Sequence, residues 1–544
     1  MNDSPLLSSP DSRAEGLSKR RRFLRRGRLV VVAAVVSTLL TACSSDSGGS
    51  KEENLASSGG GTPVRGGTLT VGMVGVGTFD TVNPKTTAAI ADIARTVALY
   101  DRFFEIGPDV KTLVPGLATE ATPNADASVW TLKLRAGVVW HDGKPFTADD
   151  AVYTLKELGS PENYGSGLVA KVIDFKNIRK LGDLSVEVPL LHPDALFPAL
   201  LTSYNAAVIP NGATDAQLTK HPIGTGPFKF ESFTPGRRSV FEANKSYWDK
   251  GKPYVDKLVI DSSFTDVVAQ VNALRSGQIN VLPQLPYSQA DSVKAANGVK
   301  VIQSPGVAAQ YLKMRVDKKP FDDKRVRQAL QLLVDRKGMI DGVLNGYGTV
   351  ANDLLAPGAK YYASDLKKGL DVAKAKSLLK DAGVPDLSIK LTTSNAFAGS
   401  LESATLFAQQ AKAAGVKVTV DNLSTAAIAE QYFDAPFGNA YSTPYPSLEA
   451  SYRGLLSTDA VYPETGWGTP ERDAAVSAAI AETDESKAAT LWHDVQTTWA
   501  DGGPYIVWGY ADNLDAVSSK VRGLKVSKAG SLNNFRFQDG WVVK

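Results

Sequence analysis

One cysteine, Cys43, serves all 544 residues, and that scarcity constrains the fold more than any other feature of the chain. A lone thiol allows no intramolecular disulfide, so stability has to come from buried apolar surface. The setting of the cysteine adds a second constraint. Residues 19–28 read KRRRFLRRGR and residues 29–42 read LVVVAAVVSTLLTA, a basic region followed by about fourteen apolar or small residues. That is the layout of an export signal. The apolar run is shorter than the roughly 20 residues a membrane-spanning helix needs, which makes a permanent anchor the weaker reading.

Leu40-Thr41-Ala42-Cys43 resembles the lipobox of bacterial lipoproteins. The resemblance implies cleavage before Cys43 and acylation of its thiol. RRRFLRR resembles a twin-arginine export motif, with Arg20 and Arg21 as the pair, although Lys19 stands where Ser or Thr is usual. Twin-arginine and general secretion both stay open, and both lead out of the cytoplasm. The expected organisation is a signal peptide over 1–42, a flexible tether over 43–66 made of Gly, Ser and charge, and a folded region held by lipid to the outer face of the cytoplasmic membrane.

Removing the signal changes the electrostatic reading. Residues 1–42 hold eight Arg or Lys and three Asp or Glu, so the formal charge of +3 becomes about −2 without them. The basic balance belongs to the signal and gives no reason to expect nucleic acid. From Gly67 onward the pattern is mixed α/β. GTLTVGMV alternates Leu69, Val71 and Met73, and VWTLKL alternates Trp130, Leu132 and Leu134, the period of strands. Thr147 caps a helix whose first turn carries Asp149 and Asp150; Thr265 or Asp266 opens another, and Asp371 a third that ends at Gly383.

Four blocks carry a family resemblance. WTLKLRAGVVWHDGKPFTADDAVYTL (130–155), HPIGTGPFKFESFTPGRRSVFEANKSYWDKGKPYVDKLVI (221–260), KKPFDDKRVRQALQLLVDRKGMI (318–340) and AQQAKAAGVKVTV (408–420) are similar, in order and spacing, to the bacterial extracellular solute-binding proteins of family 5, the peptide and nickel binders of ATP-driven importers. The resemblance implies an α/β fold of two lobes, of the large class II (cluster C) periplasmic-binding type, with mixed sheets and two hinge crossings. Lobe 1 would hold 66–305 plus 511–544 and lobe 2 the residues 306–510, with ligand enclosed as the lobes swing shut. The implied partners are a peptide or other small solute and the membrane permease subunits, with the protein itself a monomer.

The residues that carry the resemblance also make sense as scaffold. Trp140, Phe146 and Tyr153 read as core, and Asp322, Asp323, Arg325 and Arg327 as a capped, ion-paired helix start. Gly224-Thr225-Gly226 lacks the rest of any phosphate-binding motif. Chemistry is equally unsupported. His141, His192, His221 and His493 are scattered, no HExxH or GxSxG occurs, and adjacent acids sit at helix starts. No enzyme, cofactor or metal site is expected.

For the ligand, the family pattern places an aspartate in lobe 2 against a peptide's ammonium group. Ser447 occupies that position here, and Glu449 is the substitute that remains. Tyr441, Tyr445, Tyr452, Tyr462 and Trp467 crowd into a short stretch and read as a cleft wall or a core. Trp508 and Tyr510 lie on the return crossing. Thr78, Phe79 and Asp80 follow the first strand and face the cleft in the family. The expected ligand-contact set is therefore Thr78, Phe79, Asp80, Tyr441, Tyr445, Ser447, Glu449, Trp467, Trp508 and Tyr510. A peptide is the leading ligand, an oligosaccharide or other small organic solute the alternative, and a non-transport sensory or adhesion module the alternative of another class, with a hydrolase behind it.

Overall fold

The computed structural model describes residues 58–543 other than 265, 396–398, 443, 444 and 446. Cys43, the export signal and most of the tether lie outside the described residues. Strand β1 (Thr68–Val74) turns Leu69, Val71 and Met73 into a core shared with helix α1 (Ile90–Leu99), as its alternation predicts. A separate antiparallel sheet follows, built from β2 (Ala118–Pro123), β3 (Val129–Leu134), β4 (Arg179–Gly182) and β5 (Ser185–Pro189) in the order β2-β3-β5-β4. Helix α2 (Ala148–Glu157) closes one face of it with Ala148, Ala151 and Leu155. Its start is fixed where the sequence places it, by Asp150 Oδ2 accepting from Thr147 N at 2.8 Å.

Strands β6 (Phe228–Thr234), β7 (Arg238–Ala243), β8 (Lys257–Phe264) and β9 (Val281–Leu282) widen the sheet around β1, which runs parallel to β8 and β9. The blocks 130–155 and 221–260 meet here, and close packing explains their composition. A Cβ on Gly224 would stand 1.9 Å from the Leu99 carbonyl oxygen, so only glycine fits. His141 Nδ1 accepts from Gly224 N, and burial pushes its imidazole down to about 4, which keeps it neutral. The buried Asp101 carboxylate collects Thr225 Oγ1, Tyr247 OH and Trp248 Nε1, each at 2.9 Å.

Strand β10 (Val299–Met314) then leaves this lobe and β15 (Tyr505–Ser518) returns to it. Between them come α3 (Lys324–Leu332), β11 (Gly348–Val350), β12 (Ser388–Ser394), β13 (Lys417–Leu423), β14 (Phe437–Ser442), α4 (Leu448–Leu455), α5 (Pro470–Ala481) and α6 (Glu485–Ala500). One eleven-stranded sheet results, in the order β13-β12-β14-β10-β15-β9-β1-β8-β7-β6 with β11 on β15. The two long strands pair with each other twice. Val299–Ser304 lies against Asn513–Ser518, and Ala308–Lys313 against Tyr505–Ala511, with the register broken between.

The break has a local cause. Pro305 has no N–H to give the ladder, and Gly306 N donates instead to Asp512 Oδ1 at 2.6 Å. The apolar cores divide at the same level: Ile302 and Val517 belong with β1, whereas Tyr311, Leu312, Val507 and Tyr510 belong to the cores built from the intervening residues. The result is two α/β lobes joined by a paired double crossing.

Candidate functional site

The loop after β1 is shaped by one buried ion pair. Arg95, fully buried on α1, donates through Nη2 to Asp80 Oδ2 at 3.0 Å and through Nη1 to Asp92 Oδ1 at 2.7 Å. Asp80 also accepts from Val76 N (2.8 Å), Ser262 Oγ (2.7 Å) and Gly236 N (3.2 Å). Burial works against the Asp80 charge, but the Ser262 and Val76 bonds and the Arg95 guanidinium outweigh it and hold the carboxyl below its ordinary range. Asp80 is thus an internal brace, with no face left for a ligand. Its neighbours take the outside: Thr78 is exposed, and Phe79 is 83% exposed. The phenyl ring is thus left in solvent on a loop braced by several hydrogen bonds.

The expected contacts between residues 306 and 510 fall into two groups. Tyr441, at the end of β14, is 47% exposed, and Tyr462 is exposed as well. Tyr445 packs between the lobes, against the β2–β5 core and the α4–α6 core together. The remaining expected contacts go to the scaffold. Ser447 Oγ caps α4 by accepting from Ala450 N at 3.0 Å. Glu449 is completely buried, and its Oε1 accepts from Arg453 Nε at 2.6 Å. Trp467 is 3% exposed, pressed between the Arg472 and Arg327 guanidiniums at 3.7 and 5.7 Å from its ring. Tyr452 stacks on Trp499, and Trp508 is buried in the β10–β12 core. A tight stretch of aromatics therefore divides between surface and interior. A register slip in β15 between Val507 and Gly509 sends Trp508 and Tyr510 to opposite faces of the sheet.

Tyr510 lies at the crossing itself. Its hydroxyl meets Tyr362 OH at 2.6 Å, Asn352 Oδ1 at 2.9 Å and the Leu354 carbonyl at 2.9 Å. Burial pushes the Tyr362 hydroxyl up to about 12 and raises Tyr510 too, so both stay neutral hydrogen-bonding groups. Beside them is a cavity of about 430 Å³, lined by Pro305, Gly306, Asn352, Tyr362, Lys368 and Tyr510, with Lys367 and Lys528 at its edge. The volume lies within the usual range for a small-molecule site. Burial pushes the Lys368 ammonium below its ordinary value against the attraction of Asp353. A neutral polar floor under a basic rim suits an anionic group such as a carboxylate. Among the described residues no group of three His, Cys, Asp or Glu could hold a metal ion.

Of the expected contacts, Thr78, Phe79 and Tyr441 are exposed and Tyr510 lies at the crossing, where its neighbours Asn352, Tyr362 and Lys368 are not among the expected residues. Those three come from an irregular stretch with no periodicity, and only the fold brings them to the crossing.

Comparison with known proteins agrees with this architecture. Residues 112–462 match the model for bacterial extracellular solute-binding proteins, family 5. The glutathione-binding protein GsiB of Pectobacterium atrosepticum is 28% identical over 483 residues, covering 84% of this chain and 91% of GsiB. The oligopeptide-binding protein AppA of Bacillus subtilis is 27% identical over 516 residues, covering 89% of this chain and 93% of AppA. Among solved structures, the ABC transporter substrate-binding protein CtaP of Listeria monocytogenes superposes with a TM-score of 0.78 at 25% identity, over 88% of this chain and 100% of CtaP.

Proposed function

The chain belongs to family 5 of the bacterial extracellular solute-binding proteins, and from that premise we propose that it is the capturing component of an ATP-driven importer for peptides or peptide-like solutes. The observation that carries the reading is the coincidence of three features at one level: the broken ladder at 305–307, the division of the cores, and the cavity beside Tyr510. Lobe 1 is taken as 66–305 with 511–544, and lobe 2 as 306–510. Ligand that touches both favours the closed arrangement by its differential affinity, and the closed, loaded form is what a permease accepts.

Phe79 and Thr78 from lobe 1 and Tyr441 from lobe 2 would flank the ligand. Asn352, Tyr362 and Tyr510 would offer hydrogen bonds at the crossing, and Lys367, Lys368 and Lys528 a counter-charge for a carboxylate end. Ser447 caps a helix and Glu449 is paired with Arg453, so the reading includes no carboxylate for a ligand ammonium at either position. It includes no catalysis either, in keeping with relatives that are binding proteins.

Among the described residues no helix is long and apolar enough to cross a membrane. Attachment is assigned to acylated Cys43. Replacing Cys43 with Ser should release the protein from membranes and leave ligand affinity unchanged; retention of that variant would defeat the lipid tether. The ligand class is tested by native mass spectrometry of the purified full chain, then titration calorimetry with tri- and tetrapeptides, glutathione and maltooligosaccharides. Peptide binding that weakens at least several-fold in Lys368→Met is expected. Binding of the sugars alone would overturn the peptide reading.

A further inference from the structure

Apart from the crossings, the lobes meet along a second seam. Ala195 N from lobe 1 donates to the Ile480 carbonyl on α5 at 2.9 Å, and Lys171 pairs with Asp459. Ala450 of α4 packs into the β2–β5 core, and Leu196 into the α4–α6 core. Two carboxyl groups face each other inside that seam, Asp194 from lobe 1 and Glu449 from lobe 2, both buried.

Their hydrogen bonds fall short by one donor. Asp194 Oδ1 accepts from Leu196 N at 2.7 Å and Glu449 Oε1 from Arg453 Nε at 2.6 Å. Asp194 Oδ2 and Glu449 Oε2 are buried with no donor among the described residues. The Glu449 side chain and its charge act directly on the Asp194 carboxyl. Two buried carboxylates that share one guanidinium repel each other, and each buried oxygen left without a donor costs about 1–3 kcal/mol. One proton between them cures both defects.

Among the described residues the neighbouring groups are committed elsewhere. On α4 the facing charge is Arg453, which also feels Asp459, itself paired with Lys171. From β3, Trp130 Nε1 is committed to the Asp194 carbonyl at 2.9 Å. From α5 the partner is the Ile480 backbone, and His192, two residues upstream of Asp194, points to solvent.

We propose that Asp194 and Glu449 form a proton-binding site shared by the two lobes, in which the O–H of one carboxylic acid donates to the other's carboxylate only while the lobes are closed. Opening would hydrate both groups and release the proton to water; closing would take one up. The coupling rests on the lobe-closure reading above. Burial first, and the Glu449 charge second, raise Asp194 well above the ordinary carboxylate value. The stabilisation of the closed form is therefore complete below the ordinary carboxylate range and is lost as pH rises through the raised value. Capture should be favoured in acidic surroundings.

The test uses the full chain in detergent carrying Cys43→Ser, with spin labels on Glu120→Cys in lobe 1 and Lys487→Cys in lobe 2, and no ligand. The closed-to-open ratio read from the interspin distance should rise as pH falls, by up to about tenfold per unit within the window. Asp194→Asn, which supplies a fixed N–H donor, and Glu449→Gln should each make the ratio independent of pH. A flat ratio in the parent protein, or an equally steep one in both variants, overturns the proposal. Infrared spectroscopy separates its two parts. A carboxylic-acid carbonyl band that appears on the acid side of the transition and vanishes in Asp194→Asn supports the shared proton, and its absence from the parent overturns it. The band together with a single interspin distance at every pH overturns the coupling through the hinge rather than through the proton.

Discussion

Two buried acid clusters, one behind the Phe79 loop and one in the seam between the lobes, contain the same charges and behave differently. Each has two carboxyls and one guanidinium: Asp80 and Asp92 with Arg95, Asp194 and Glu449 with Arg453. The first cluster has a donor for every carboxyl oxygen. Val76 N, Gly236 N and Ser262 Oγ serve Asp80, and Thr81 N and Ala89 N serve Asp92. The second leaves two oxygens bare. Burial raises Asp92 despite its full set of donors, so what separates the clusters is satisfaction: the first holds its loop with every carboxyl oxygen bonded, and the second leaves two oxygens with room for a proton.

The largest way to break the first cluster is Arg95→Met, which strands two buried carboxylates and should cost about 3–5 kcal/mol in denaturant unfolding. Arg453→Met should cost less, about 1–3 kcal/mol, because Arg453 is partly exposed and Asp194 nearby is already raised; the loss should shrink at acidic pH. Ser262→Ala sharpens the contrast by removing one donor from the well-served cluster. Unfolding should become easier by about 1 kcal/mol. Since Asp80 is held low in the folded state, its contribution is present above the ordinary carboxylate range and lost as pH falls, and in Ser262→Ala that contribution should be smaller and its acid loss complete at a higher pH. Phe79→Ala, outside both clusters, should leave stability within about 0.5 kcal/mol while weakening binding of any peptide found in the calorimetric screen. Equal peptide affinity in that variant would take Phe79 off the ligand surface.

Local order was plain in the chain, and pairing at a distance was not. Leu69, Val71 and Met73 announced a strand, while Thr147 and Asp371 marked helix starts, because those signals sit within a few residues of what they govern. The Phe79 loop was likewise found at its position. What could not be read was that Asp80 turns inward: its partners Arg95 and Ser262 lie 15 and 182 residues away. The family pattern points Glu449 toward the ligand and aromatic crowding points Trp467 there, whereas Arg453, Arg327 and Arg472 claim them in the fold. A carboxylate or an indole has the same letter whether it meets solvent, a cation or a guest.

The two crossing strands are bonded to each other on both sides of the short gap at 305–307. Rods fastened side by side resist twisting and sliding but still fold about a common crease. On the closure reading proposed above, motion between the halves would be reduced to almost a single coordinate. A membrane gate that senses only this angle could recognise a loaded carrier without reading its cargo, so the guest could change over evolutionary time while the docking surface stayed the same.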